Sequence, residues 1–168
     1  MIRDEIQQQG EVKTLDDALA RETLSQRFEA VRERIEAKVT DEAAYKRLRH
    51  EEKVFWQVSI LISEIFNGGI EQYLTNPSGD YAQETIEYLK EIRATKAHRL
   101  LSAVASKFPK GIIPKNEEKR CDYLDDYQNE SDDAEDFLCD VDSDLEDCLE
   151  RLEELAVAYV RKNRKGLE

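Results

Sequence analysis

The chain has 168 residues, and its 38 acidic side chains outnumber its 25 basic ones to give a formal net charge of −13. The length suits one domain with a sizeable core, and 38% charged residues with only six glycines and three prolines favour solvated helices over a loop-rich β fold. The negative charge argues against direct contact with a nucleic-acid backbone or an anionic membrane surface.

The first predicted helix lies before residue 40. Thr14 followed by Asp16 and Asp17 is typical of a helix start, because a hydroxyl accepts hydrogen bonds from free amides and early acids suit the helix dipole. From Leu24 to Val39 the apolar residues recur at helical spacing and form one stripe. We predict residues 1–40 as an N-terminal helical extension, whose stripe packs either on a neighbouring copy or on the chain's own core.

A second helix is predicted from Thr40 to about Phe66. Its second half is apolar on nearly every side, which is typical of a helix in the centre of a bundle and places Trp56 in the core. The Asn-Gly-Gly sequence at residues 67–69 is predicted to end this helix, because glycine readily adopts the left-handed conformation of a helix C-cap.

Further helices are predicted along the rest of the chain. A turn at residues 76–79 precedes a helix that begins at Asp80, and the next helix starts near Lys96 and stops at Pro109. Three more helix starts are predicted near Glu117, near Ala134 and at the pair Asp142 and Ser143. The fold class is therefore all-α, a single-domain compact multi-helix bundle with residues 41–166 as its main domain and residues 167–168 as a cloning remnant.

Residues 122–150, called the acidic block below, hold fourteen carboxylates and no Lys or Arg. Removing them leaves 24 acids against 25 bases, so nearly all of the negative charge comes from this segment. The apolar and aromatic residues within it predict that it folds against the core. Its carboxylates are Asp122, Asp125, Asp126, Glu130, Asp132, Asp133, Glu135, Asp136, Asp140, Asp142, Asp144, Glu146, Asp147 and Glu150.

Two interpretations of the acidic block remain open. Residues three and four apart on a helix lie about 5–6 Å from each other, which is close to the spacing of successive phosphates along a DNA strand. A folded acidic helix can therefore present carboxylates to the Arg and Lys side chains that normally hold DNA. The alternative is an ordinary solvated helix face with no partner.

A polar and glycine-rich motif occupies residues 67–81. Its residues are Asn67, Gly68, Gly69, Gln72, Tyr73, Asn76, Ser78, Gly79, Asp80 and Tyr81. With Phe108 and Pro109 downstream, this ordered run resembles the DNA-mimic protein C-terminal domain family of bacteria, over about residues 51–162. The resemblance implies an all-helical homodimer, and in the member that names the family the acidic surface competes with DNA for a helix-turn-helix transcription factor.

The motif itself has a structural and a functional interpretation. In the first, the glycines form a corner, Asn76 and Ser78 bond to their own turn, and Asp80 caps a helix. In the second, Asn67, Gln72, Tyr73 and Asp80 line a polar pocket. We favour the structural interpretation, since no catalytic role follows from these residue types.

The sequence lacks the residue patterns that known catalytic and metal sites need. His50 and His98 lie on charged helices without a Cys or His at ligand spacing. Asp140, Asp142 and Asp144 are spaced like the start of a calcium loop, but Leu145 and Arg151 replace its required Gly and Glu. We expect a protein that is not an enzyme and has no cofactor or metal site.

The start of the chain has no charged segment followed by an apolar one, and no apolar stretch is long enough to span a bilayer. Cys121, Cys139 and Cys148 are odd in number and form no C-x-x-C pair, which is typical of reduced thiols. We therefore expect a cytoplasmic protein with no membrane partner.

Three functional hypotheses follow. The first is a binding protein whose carboxylates occupy the basic DNA-contact surface of a DNA-binding protein such as a transcription factor. The second is an antidote-like protein that neutralises a basic nuclease or toxin. The third is a metal-dependent hydrolase that uses the Asp cluster.

Overall fold

The computed structural model describes residues 14–167. Within that range the chain forms nine α-helices and no β-strand, which confirms the all-α prediction. No helix in this range is long and apolar enough to cross a lipid bilayer. The helices are α1 (Leu15–Leu19), α2 (Leu24–Glu36), α3 (Glu42–Arg47), α4 (His50–Thr75), α5 (Ala82–Glu91), α6 (Thr95–Ala105), α7 (Glu117–Glu130), α8 (Ala134–Glu146) and α9 (Leu149–Lys162).

Two capping boxes set the N-terminal helices. Thr14 begins a helix as predicted, and its hydroxyl accepts a hydrogen bond from the Asp17 amide while the Asp17 carboxylate accepts from the Thr14 amide. That helix ends at Leu19, however, so the single helix predicted from Thr14 through the Leu24 to Val39 stripe is two helices. Thr23 and Gln26 form the same arrangement at the start of α2. The apolar stripe of α2 is buried in the same core as α4 and α9.

The helix predicted from Thr40 to Phe66 is wrong at both ends. Asp41, not Thr40, caps α3, and its carboxylate accepts a hydrogen bond from the Ala44 amide. Leu48 has an extended ψ of 144°, which separates α3 from α4. The helix also continues past Phe66 as far as Thr75.

The glycine corner is a kink inside α4 and not its end. Gly69 has φ of 80° and ψ of −171°, a conformation that side chains strongly disfavour, and helical geometry resumes at Ile70. Gly69 therefore has the positive φ expected of a C-cap glycine, but its ψ is not that of the left-handed C-cap conformation and the helix does not end there. Where the helix resumes, Asp142 of α8 accepts a hydrogen bond from the Ile70 amide and so links α8 to the kink.

Helix α4 is the centre of the bundle. It packs against α2, α5, α7, α8 and α9, and Val54, Phe55, Val58 and Leu61 are fully buried within it. Trp56, which was predicted in the core, is only partly buried against it. The nearly continuous apolar sequence of α4 thus reflects neighbours on most of its sides.

Two predicted helix starts are also wrong. Asp80 lies in a 3₁₀ turn at Pro77–Tyr81, and α5 begins after it at Ala82. Asp142 and Ser143 lie inside α8, which ends at Glu146, and α9 starts at Leu149. In both cases the acidic side chain that looked like a cap is used elsewhere, by Arg120 for Asp80 and by the α4 kink for Asp142.

Candidate functional site

The acidic block is built from the second half of α7, all of α8 and the start of α9. Leu124 anchors α7 to the core, and Leu138, Val141 and Leu145 anchor α8 at helical spacing. Because these apolar positions face inward, the intervening carboxylates are directed to the outside. The prediction that this segment is folded and not disordered is confirmed.

Twelve of the fourteen carboxylates are exposed, and the two others, Asp142 and Asp144, are half-buried. On α7, Asp122, Asp126 and Glu130 follow one another four residues apart. On α8, Asp136 and Asp140 have the same spacing. Four residues of helix rise about 6 Å, so the block presents rows of carboxylates at near-regular distances.

Two lysines from outside the acidic block border it. Lys96 Nζ lies 2.7 Å from Asp144 Oδ1. Lys107 Nζ lies over the rings of Phe137 and Tyr127, 4.5 Å and 5.3 Å from their centroids, and so links α8 to α7 without neutralising a carboxylate. Within residues 14–167 the other thirteen carboxylates of the block form no ion pair.

Asp142 differs from the other carboxylates of the block because it accepts a hydrogen bond from the backbone of α4. Its Oδ1 lies 2.5 Å from the Ile70 amide at the α4 kink. Burial raises the pKa of the Asp142 carboxyl, the Ile70 hydrogen bond opposes that rise, and Glu146 and Glu71 add to it. A Cβ on Gly69 would lie 2.4 Å from this carboxylate, so the glycine gives it room.

The polar residues of the 67–81 motif converge on a carboxylate that the sequence analysis did not single out. Glu64 accepts hydrogen bonds from Gln72 Nε2 at 2.8 Å, Asn76 Nδ2 at 3.0 Å and Ser78 Oγ at 2.7 Å. These three contacts tie the end of α4 and the following turn to the straight part of α4. Glu64 therefore fixes the turn that follows the end of α4.

A fully buried arginine binds the backbone and one side chain of the motif from α7. Arg120 of α7 has no exposed surface, and its guanidinium lies within hydrogen-bond distance of five oxygen atoms. They are Leu74 O at 2.7 Å, Asp80 Oδ1 at 2.7 Å, Lys115 O at 2.6 Å, Pro114 O at 3.0 Å and Asn76 O at 3.0 Å. Gly79 permits this approach, since its Cβ would lie 2.8 Å from Arg120 Nε.

The remaining residues of the motif differ in burial and in their contacts. Asn67 and Gly68 are exposed. Tyr73 is fully buried, its hydroxyl lies 3.0 Å from Thr85 Oγ1, and burial raises its pKa. The Tyr81 ring packs on Tyr45 with centroids 4.5 Å apart. The side chains proposed for a polar pocket, at Asn67, Gln72, Tyr73 and Asp80, thus have separate surroundings.

Sequence reasoning missed Arg120 and Glu64. Arg120 stands four residues before the core residue Leu124, so its place on the buried side of α7 was readable from the helical period. The hydrogen bonds of its guanidinium could not be predicted, because three of the five oxygen atoms belong to residues 40 to 46 positions earlier in the chain and the other two to the loop before α7.

The other candidate groups are dispersed. His50 is exposed and bonded to Glu91, whereas His98 is half-buried. Cys121, Cys139 and Cys148 are free thiols. Among residues 14–167, no three His, Cys, Asp or Glu side chains are grouped so that they could hold a metal ion.

A sequence model of the DMP19-like protein family matches residues 46–163, which is more than half of the chain. The chain belongs to this family. The matched residues include the 67–81 motif, Arg120 and the whole acidic block. No curated protein and no solved structure gives a significant match to the chain.

Proposed function

We propose that this DMP19-like protein is a DNA mimic that binds the basic DNA-contact surface of a DNA-binding protein and competes there with DNA. The observation that carries the proposal is the acidic block, in which thirteen carboxylates form no ion pair within residues 14–167 and are held on folded helices and the turns between them. A folded protein gains no stability from such a surface, because like charges repel one another. A cationic partner would turn that cost into binding energy.

The anchoring of the block favours binding over mere solubility. A flexible acidic tail would solubilise the protein equally well, but it would lose conformational entropy when it met a rigid partner. Here Leu138, Val141 and Leu145 hold α8 on the core, and Asp142 fixes it to α4. The carboxylates are thus already in place before a partner arrives.

We propose that the protein is not an enzyme and that its partner is a basic DNA-binding protein, such as a helix-turn-helix transcription regulator. A helix-turn-helix regulator presents Arg and Lys side chains to phosphates, and the same side chains would pair with carboxylates. A nucleic acid would be repelled. We also propose that the protein acts as a homodimer, which sedimentation equilibrium of the free protein measures directly.

The test is affinity capture from the lysate of the source cell with three versions of the protein. The first is the wild type. The second has five exposed carboxylates of the block neutralised, at Asp132→Asn, Asp133→Asn, Asp136→Asn, Asp140→Asn and Asp147→Asn, and leaves Asp144 to its lysine. The third is a matched control with five exposed acids changed elsewhere, at Glu22→Gln, Glu33→Gln, Glu36→Gln, Glu87→Gln and Glu117→Gln.

We expect the wild type and the control to retain the same basic DNA-binding protein and the block variant to lose it. Mass spectrometry identifies the protein, and duplex DNA or moderate salt should elute it, because exposed charge pairs are screened beyond about 8 Å at physiological ionic strength. A partner retained equally by all three versions, or one that salt and DNA leave bound, would contradict the proposal.

A further inference from the structure

A large aromatic side chain is left uncovered where the straight part of α4 ends. Phe66 is 76% exposed, the highest value among the large apolar side chains of residues 14–167. Beside it lies a groove of about 430 Å³ between α2, α4 and α9, and Phe28, Ile62 and Leu149 supply its apolar wall. An exposed aromatic next to an apolar groove is typical of a surface that binds another molecule.

The same groove is lined by three carboxylates. Glu29 accepts a hydrogen bond from Arg32 at 3.1 Å, whereas Glu150 and Glu153 form no ion pair within the described residues. Burial raises the pKa of the Glu153 carboxyl, and the charges of Glu29 and Glu150 raise it further. The groove thus combines an apolar wall with negative charge that a neighbouring cation would stabilise.

We propose that this groove anchors a basic, amphipathic segment of the partner. An apolar side chain of that segment packs on Phe66 and the groove wall, and its flanking Lys or Arg side chains pair with Glu150 and Glu153. Glu150 is also the last carboxylate of the acidic block, so the groove continues the surface that binds the partner. The inference rests on the proposed function, since it takes the partner to be a basic protein.

Charge decides between this occupant and a second copy of the chain. Two copies that met face to face at the groove would bring their Glu29, Glu150 and Glu153 carboxylates together, and like charges oppose one another across an interface. A basic segment brings the opposite charge. A large apolar anchor in a pocket from which surrounding contacts exclude water is also typical of the residues that dominate binding energy.

The test uses two fluorescent arginine-rich helical peptides that differ at one central residue, leucine in one and glutamine in the other. We expect fluorescence anisotropy to show that the wild-type protein binds the leucine peptide about tenfold more tightly. Phe66→Ala should abolish this preference and leave the salt dependence unchanged, because the lost contact is uncharged. Ile112→Ala, which shortens another exposed apolar side chain, is the matched control and should retain the preference.

A second variant separates charge from apolar contact. Glu150→Gln with Glu153→Gln should weaken the binding of both peptides and reduce its salt dependence, while the preference for leucine persists. Unchanged circular dichroism shows that each variant is folded.

Two outcomes would overturn the inference and one would overturn the function beneath it. If the wild type binds both peptides equally, the groove contributes no apolar anchor, although the acidic surface still binds cations. If Phe66→Ala converts a dimer of the free protein into a monomer, the groove is an interface between copies. If neither peptide binds the wild type even at low salt, the proposed attraction to basic proteins itself fails.

Discussion

Two regions of this protein treat charge in opposite ways. Around Arg120 one buried guanidinium is surrounded by five oxygen atoms, and its carboxylate partner, Asp80, remains 44% exposed. Of the fourteen carboxylates of the acidic block, only Asp144 forms an ion pair within residues 14–167, with Lys96. The first arrangement satisfies its charge inside the molecule and so stabilises the fold. The second leaves most of its charge without an ion pair within residues 14–167.

The difference teaches how to separate structural from functional polar residues in this family member. The 67–81 motif attracts attention in the sequence, yet its side chains bond to Glu64 and Arg120. The acidic block looks like a solvated surface, yet apart from Asp144, which pairs with Lys96, and Asp142, which is bonded to the Ile70 amide, its carboxylates form no such contact within residues 14–167. Unsatisfied charge held on a rigid helix is the better indication of binding.

The largest effect is expected from Arg120→Met, which removes the satisfied charge. Carbonyl oxygens of residues 74, 76, 114 and 115 would lose their donor inside the fold, and we expect the free energy of unfolding to fall by about 3–5 kcal/mol in urea denaturation. Asp80→Asn is the control, because its half-exposed carboxylate is partly solvated, and it should cost about 1 kcal/mol. Equal losses for the two variants would show that the ion pair, not the carbonyl network, matters.

The next largest effect is expected from Gly69→Ala at the α4 kink. The left-handed φ of 80° and the contact of a new Cβ with the Asp142 carboxylate should together lower the free energy of unfolding by about 2–3 kcal/mol. Gly111→Ala is the matched control, since its φ is 70° but its Cβ would meet no atom within 4 Å, and about 1 kcal/mol is expected. A loss at Gly69 no larger than at Gly111 would mean that Asp142 simply moves aside.

The sequence predicted the helices better than the kinks and turns that connect them. The apolar spacing of the stripe from Leu24 to Val39 correctly gave the buried face of α2, because local geometry alone determines it. The kink at Gly69 was mistaken for a helix end, since the sequence does not show that the Ile70 amide bonds to the distant Asp142. Likewise, Asp80 was taken for a cap because Arg120, 40 residues later, was not known to reach it.

For the candidate site, the sequence located the acidic block but did not show which of its carboxylates contact the rest of the protein. The fourteen carboxylates were visible by counting, and their exposure follows from the apolar residues between them. The sequence did not show that Asp144 pairs with Lys96 or that Asp142 turns inward to α4. It also gave no reason to expect Phe66 on the surface, since an apolar residue in an apolar run is normally buried.

A smaller effect is expected from neutralising the block at Asp132, Asp133, Asp136, Asp140 and Asp147. If the carboxylates only repel one another in the free protein, the Asn variant should be more stable than the wild type by about 1 kcal/mol at low ionic strength. Added salt should raise the stability of the wild type more than that of the variant, because it screens the same repulsion. A variant less stable than the wild type at every salt concentration would show that these carboxylates serve the fold, as Arg120 does.

The smallest effect concerns Asp142, a carboxylate of the acidic block that is bonded inside the molecule, to the Ile70 amide. Burial raises its pKa in the folded protein, so its contribution to stability is present below the pKa of the unfolded chain, near 4, and is lost as the pH rises through the folded pKa. Asp142→Asn keeps an oxygen for the Ile70 amide but cannot ionise. Stability measured by urea denaturation between acidic and neutral pH should therefore fall less steeply for Asp142→Asn than for the wild type, by under about 1 kcal/mol overall. Parallel pH profiles would mean that the Ile70 hydrogen bond fully offsets burial, and Asp142 would then belong with the satisfied charges.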